Sequence, residues 1–170
     1  MLEFTNLLFA GGGDVNLRIP GPTPVPPEIL SSLAQQMINH RGKAFADLLF
    51  RITDRLKSVF GTTNDILILT ASGTGGMEAA IVNTLSPGQK ILAATSGVFG
   101  NRFAEIARAY GAQVTHLEFP WGKPVNPQDI KQALIDDPEL GAVLVTHNET
   151  STGITNDLRA IAQIVKQSDK

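Results

Sequence analysis

The sequence predicts an α/β fold, a mostly parallel sheet with flanking helices. Two observations carry this. From Asn64 onward, short apolar runs alternate with segments whose apolar residues recur at helical spacing, the order of repeated β-α units. Three of those runs give way to loops of small and polar residues, at 72–76, 96–102 and 146–153, and the carboxyl ends of parallel strands are where such sheets build their sites. Bulk properties agree. The chain has 170 residues, 42% hydrophobic and 18% charged, with a net charge of −2, which suits one domain burying roughly 70% of its unfolded surface.

The composition also excludes function classes. Fourteen basic residues face 16 acidic ones without a long run of either, so no nucleic-acid partner is expected. There is no cysteine, which removes disulfides, thiolate metal sites and a cysteine nucleophile. Residues 1–10 carry an acid and no basic leader region, and no apolar run approaches the ~20 residues a membrane helix needs. A cytoplasmic protein without membrane partners is the expectation.

Taken in order, residues 1–27 read as an arm. Gly11-Gly12-Gly13 is flexible, and the run from Pro20-Gly21-Pro22 to Pro26-Pro27 sustains neither helix nor central strand. Pro27 and Glu28 suit a helix start, after which Ile29, Leu33 and Met37 mark one face and His40 with Arg41 the end. A longer helix follows Gly42, its face formed by Phe45, Leu48, Leu49, Ile52, Leu56, Val59 and Phe60, and stops at Gly61. Ile66-Leu67-Ile68-Leu69 reads as a buried strand, and Met77, Ala80, Ile81, Thr84 and Leu85 as the next helix face. Residues 91–94, 114–119 and 142–145 read as further strands. Between and after them, helices carry Phe103, Ile106, Ala107 and Tyr110, then residues 127–135, then Leu158, Ile161, Ala162 and Val165. A further strand is expected after the last helix, so residues 28–170 read as part of a larger domain.

Ser72-Gly73-Thr74-Gly75-Gly76, at a helix start, has the chemistry of an anion site: open backbone N–H groups, the helix dipole, and two hydroxyls. A tight turn that binds nothing has the same pattern. Glu78 stands where a dinucleotide motif would need glycine, and no P-loop exists. Phe99, among small and polar residues, is either a core side chain or an aromatic cover for a planar ligand. Thr146-His147-Asn148-Glu149-Thr150-Ser151-Thr152-Gly153 is dense in donors and acceptors, and reads as a ligand loop or a helix-capping loop. His116 reads as solvent-facing and His147 as a possible ligand contact. No metal-ligand spacing and no serine–histidine–acid arrangement is present.

These three loops, with Pro20-Gly21-Pro22-Thr23-Pro24 before them, resemble the class V aminotransferases of pyridoxal-phosphate (PLP) fold type I, in the alanine–glyoxylate and serine–glyoxylate branch. The resemblance implies an N-terminal arm plus part of the large PLP-binding domain. It also implies that Ser72, Gly73 and Thr74 hold the cofactor phosphate, Phe99 stacks on the pyridine ring, and the Thr150 hydroxyl reaches the ring's phenolic oxygen. Gly21 would lie near the substrate carboxylate. The implied activity is transfer of an amino group from alanine or serine to glyoxylate or a similar 2-oxo acid, in a homodimer. The family's Schiff-base lysine and its pyridinium-pairing aspartate have no counterpart among the 170 residues, so no catalytic residue is assigned and the chain alone is expected to be inactive. The rival readings are a non-catalytic module with a vestigial phosphate loop, and another class V enzyme such as a lyase.

Overall fold

The computed structural model describes residues 19–168. The glycine run at 11–13 and most of the expected arm lie outside the described residues. The chain divides into two compact units, residues 1–68 and 69–170.

In the first unit, α1 (Pro27–Leu33) starts on Pro27 as expected but stops at Leu33, leaving Met37 95% exposed. Only seven residues long, with no side-chain cap and no buried residue, this helix has no apolar surface against which to extend. His40 therefore lies in the turn between helices and not at a helix end, because the next helix begins at Lys43. That helix, α2 (Lys43–Phe60), ends on Gly61 in the left-handed conformation, φ 59°, as glycine permits. Its expected apolar face is not a core: Leu49, Ile52, Val59 and Phe60 are all exposed. A hollow of about 510 Å³ lies between α2 and residues 65–67, walled mainly by Leu49, Phe50, Ile66 and Leu67. The expected strand at residues 66–69 does not form. The run has no ladder partner among the described residues, and Leu67, Ile68 and Leu69 remain exposed; a strand exists only where a neighbour satisfies its backbone groups.

The second unit opens with α3 (Gly73–Thr84) and continues through β1 (Lys90–Thr95), α4 (Val98–Ala109), β2 (Gln113–Glu118), α5 (Pro127–Asp136) and β3 (Val143–Val145). The three strands form a parallel sheet in the order β2-β1-β3, with Leu92 opposite both Thr115 and Val143. Central β1 is buried on both sides, which explains its continuous apolar sequence. Alternation along β1 sends Leu92 and Ala94 to one face, against Ile130 and Leu134 of α5 and Leu140. Ile91 goes to the other face, against Ile81 of α3 and Ala107 of α4. Val143 and Val145 join the first face and Leu144 the second. β3 is only half-buried, because no strand pairs with its outer edge among the described residues.

Beyond β3 the structure contains an element the sequence did not reveal. β4 (Asn148–Glu149) and β5 (Ile154–Thr155) form a short antiparallel hairpin before α6 (Leu158–Gln167). Its turn closes by hydrogen bonds from Thr152 N–H and Gly153 N–H to the Glu149 carbonyl, with Gly153 at φ 70°. Asn156, 2% exposed, holds the base: its amide donates to the Thr146 carbonyl at 2.7 Å, and its oxygen accepts from Val125 N–H at 2.7 Å. Ile161 and, partly buried, Ile164 and Val165 of α6 join the face formed by α5.

Candidate active site

The cleft of interest lies in the second unit, at the carboxyl ends of β1 and β3. It encloses about 380 Å³ and is lined by Gly73, Thr74, Met77, Phe99, Thr146, Asn148 and Thr150, a volume within the range of small-molecule sites, about 300–1,000 Å³. Four of the six residues singled out by the resemblance are thus together: Gly73, Thr74, Phe99 and Thr150. Ser72 caps the same helix start. Gly21 belongs to the first unit.

Two helices begin at this cleft, and their first turns differ. At α3, the Ser72 hydroxyl accepts from Gly75 N–H at 3.4 Å, and the Ser72 carbonyl accepts from Gly76 N–H at 3.1 Å. The N–H groups of Gly73 and Thr74 have no acceptor among the described residues, as the first turn of a helix dictates. A Cβ built at Gly73 meets nothing within 4 Å, so a ligand can approach the backbone there; at Gly75 it meets the Ala71 Cβ at 2.9 Å, so this glycine is needed for packing.

At α4 the first turn is already occupied. Val98 N–H donates to the Ser151 hydroxyl at 3.0 Å, while Phe99 N–H (3.3 Å) and Gly100 N–H (2.9 Å) donate to the Glu149 carboxylate. Glu149 itself is fully buried. Burial alone would push its carboxyl up, but the Ser151 hydroxyl and the N–H groups of Gly100, Phe99 and Ser151 outweigh this and hold it below its ordinary value. The first-turn donors left open are therefore those of α3, not those of α4.

The third loop divides between the cleft and α4. Thr146, Asn148 and Thr150 line the cleft, whereas His147 does not, and Glu149 and Ser151 turn back toward α4. Within β4 the opposite directions of Asn148 and Glu149 are those of successive strand residues, while Thr150 and Ser151 are placed by the turn that follows. Phe99 is 37% exposed and lines the cleft, which decides against the core reading. Arg102, one turn further along α4, places its guanidinium carbon 5.9 Å from the Phe99 ring centroid and donates to the Thr74 hydroxyl at 3.5 Å. It brings positive charge beside the Thr74 hydroxyl at the start of α3, a feature that sequence reasoning missed. Met77 was read as helix face alone and also lines the cleft. His116, on exposed β2, lies with Nε2 2.8 Å from the Thr95 hydroxyl. No group of three or more potential metal ligands occurs among the described residues, and no described helix is long and apolar enough to cross a membrane.

The family model for Aminotransferase class-V matches residues 15–170. The chain belongs to the class V aminotransferases. Among relatives of this class V chain, a Synechococcus protein named soluble hydrogenase, small subunit, is 46% identical over 88% of this chain and 40% of its own length. An L-aspartate–glyoxylate aminotransferase of Paracoccus denitrificans is 40% identical over 84% of this chain and 37% of its own length. Among solved structures, an alanine–glyoxylate aminotransferase from Nostoc superposes with a TM-score of 0.83 at 30% identity, over 88% of this chain and 40% of that one. The fold is that of the PLP fold type I aminotransferases, and the class V chain spans about 40% of the length of the relatives it matches.

Proposed function

We propose that the protein is a PLP-dependent transaminase, with this chain supplying the cofactor cleft. One observation carries the reading: an open helix start bearing two hydroxyls shares a cleft with a half-exposed aromatic ring and a third hydroxyl. These groups match a planar ligand with a phosphate at one end. The N–H groups of Gly73 and Thr74 and the Ser72 and Thr74 hydroxyls hold the phosphate, aided by Arg102. Phe99 covers the ring, and the Thr150 hydroxyl donates to its phenolic oxygen. When bound, the cofactor ring supplies the electron sink that transamination needs. Gly21 is proposed near the substrate carboxylate.

The proposed reaction moves an amino group from alanine or serine to glyoxylate or a similar 2-oxo acid. Glyoxylate recurs in the names of the Paracoccus and Nostoc relatives, while the donor changes from aspartate to alanine. None of the described lysines lines the cleft; Lys43, Lys57 and Lys90 pair with carboxylates instead. The lysine that moves the proton at the substrate's Cα is therefore proposed to come from the part of the relatives' length that this chain does not span. A cytoplasmic homodimer completes the proposal.

Thr74→Ala tests the phosphate placement. Losing one hydrogen bond to a charged group should weaken pyridoxal phosphate binding by about 1–2 kcal/mol, roughly five- to thirtyfold, measured by equilibrium titration of the protein as encoded. Parent-like affinity in both Thr74→Ala and Ser72→Ala would refute it.

A further inference from the structure

The cofactor reading leaves Glu149 without a task, yet its carboxylate is fully buried beside the cleft. It accepts from Phe99 N–H at 3.3 Å, Gly100 N–H at 2.9 Å, Ser151 N–H at 3.3 Å and the Ser151 hydroxyl at 2.5 Å. Ser151 Oγ accepts in turn from Val98 N–H at 3.0 Å. The first three N–H groups of α4 are thus all held by two residues of the hairpin, about fifty positions away in sequence. Asn101 N–H, bonded to the Gly97 carbonyl, begins the helix's own ladder.

A capping box built from a helix's own residues would satisfy those donors equally well. What the distant cap adds is geometric. Phe99 is one of the residues whose N–H is held, and Thr150 stands between Glu149 and Ser151, which do the holding. Ring wall and hydroxyl wall of the cleft are therefore fixed to each other through one carboxylate. Gly97 shows how tightly this is built: a Cβ there would meet Ser151 Oγ at 2.5 Å and Glu149 Cγ and Cδ at 2.6 and 2.7 Å. The phosphate turn on α3 takes no part in the clamp.

We propose that Glu149, with Ser151, is a positioning residue that sets the Phe99 ring and the Thr150 hydroxyl in register for a planar ligand without touching it. The inference rests on the cofactor reading above. It separates the site into an anion turn that stands by itself and a ring slot whose two walls move only together.

The experiment compares Glu149→Gln and Ser151→Ala with the unsubstituted protein, using pyridoxal phosphate and inorganic phosphate as probes. Glutamine keeps the shape but must present an amide NH2 where a carboxylate oxygen accepted, so the clamp loosens. Pyridoxal phosphate should bind about tenfold more weakly, while inorganic phosphate affinity changes by less than about twofold. The circular dichroism of the bound ring, in its own absorption band, should fall. Adding Glu149→Gln to Phe99→Ala should cost little more than Phe99→Ala alone, because the clamp acts through that ring. A mere structural cap gives the opposite pattern: lower melting temperature, with ring affinity and dichroism at parent values, which overturns the proposal. If Glu149→Gln does not fold, Ser151→Ala carries the test, since it leaves the carboxylate and its Gly100 bond in place. Absence of pyridoxal phosphate binding by the unsubstituted protein refutes the cofactor reading and this inference with it; loss of the clamp effect alone leaves the cofactor reading standing.

Discussion

Gly97→Val is expected to destabilise the second unit by about 3 kcal/mol or more, since overpacking typically costs about 1–3 kcal/mol and each orphaned buried donor about as much again. The reason is steric and not conformational, because Gly97 is in extended backbone that any residue adopts, φ 169°. Its new side chain would enter space held by Ser151 and by the buried Glu149 carboxylate. Neither neighbour is the free end of a flexible chain, as both are tied to the start of α4. Moving them strips Val98, Phe99 and Gly100 of their acceptors. Gly76→Ala is the control: a Cβ there meets nothing within 4 Å and the position is helical, so stability should hold or rise by up to about 1 kcal/mol. Urea denaturation followed by circular dichroism measures both. A Gly97→Val midpoint equal to the parent's would mean that the hairpin is not seated on α4 as described.

Phe99→Ala should weaken pyridoxal phosphate binding by about 1–3 kcal/mol, the scale of removing an aromatic face from a stacked planar ring. The same substitution should cost the ligand-free protein less stability than it costs ligand affinity. Phe99 is absent from both buried clusters of the sheet and is more than one-third exposed, so no core contact is lost. The Arg102 guanidinium over the ring would lose its ring contact, an interaction of about 0.5–1 kcal/mol. The reverse ranking, a large drop in melting temperature with ring affinity intact, would return Phe99 to the core.

The sequence was most legible where one physical requirement dominated. Residues 91–94 read as a strand because a central parallel strand needs apolar residues on both faces, and the structure gives β1 both. The starts of α1 and α5 follow from Pro27 and Pro127, and the end of α2 from Gly61. Residues 66–69 show the limit of that logic. Their composition is that of a buried strand, but a strand is a relation between segments, and a run of apolar residues cannot announce whether its partner is present. The β4–β5 hairpin failed for another reason: two residues per strand are too few for any periodicity, and Thr150 to Gly153 read as loop because they are one.

The site was legible as chemistry and not as geometry. Hydroxyls and glycines at 72–76 read as an anion turn or a tight turn that binds nothing, and Gly73 and Thr74 line the cleft with Phe99 and Thr150. Glu149 and Ser151 looked like further members of a polar loop, with nothing in their residue types to say that they face away from the cleft. Arg102 reads in the sequence only as the end of the loop at 96–102, because its approach to Thr74 spans 28 positions.

The central claim is that an anion binds at the open start of α3 and not at the start of α4, which the protein's own carboxylate already fills. The most direct measurement is the backbone amide spectrum of the isotopically labelled protein during titration, first with inorganic phosphate and then with pyridoxal phosphate. Phosphate should shift the amides of Gly73 and Thr74 and leave those of Phe99 and Gly100 in place, since these remain bonded to Glu149. Pyridoxal phosphate should repeat the first shifts and add that of the Thr150 amide. Phosphate-induced shifts at Phe99 and Gly100 with none at Gly73 and Thr74 would contradict the assignment of the site.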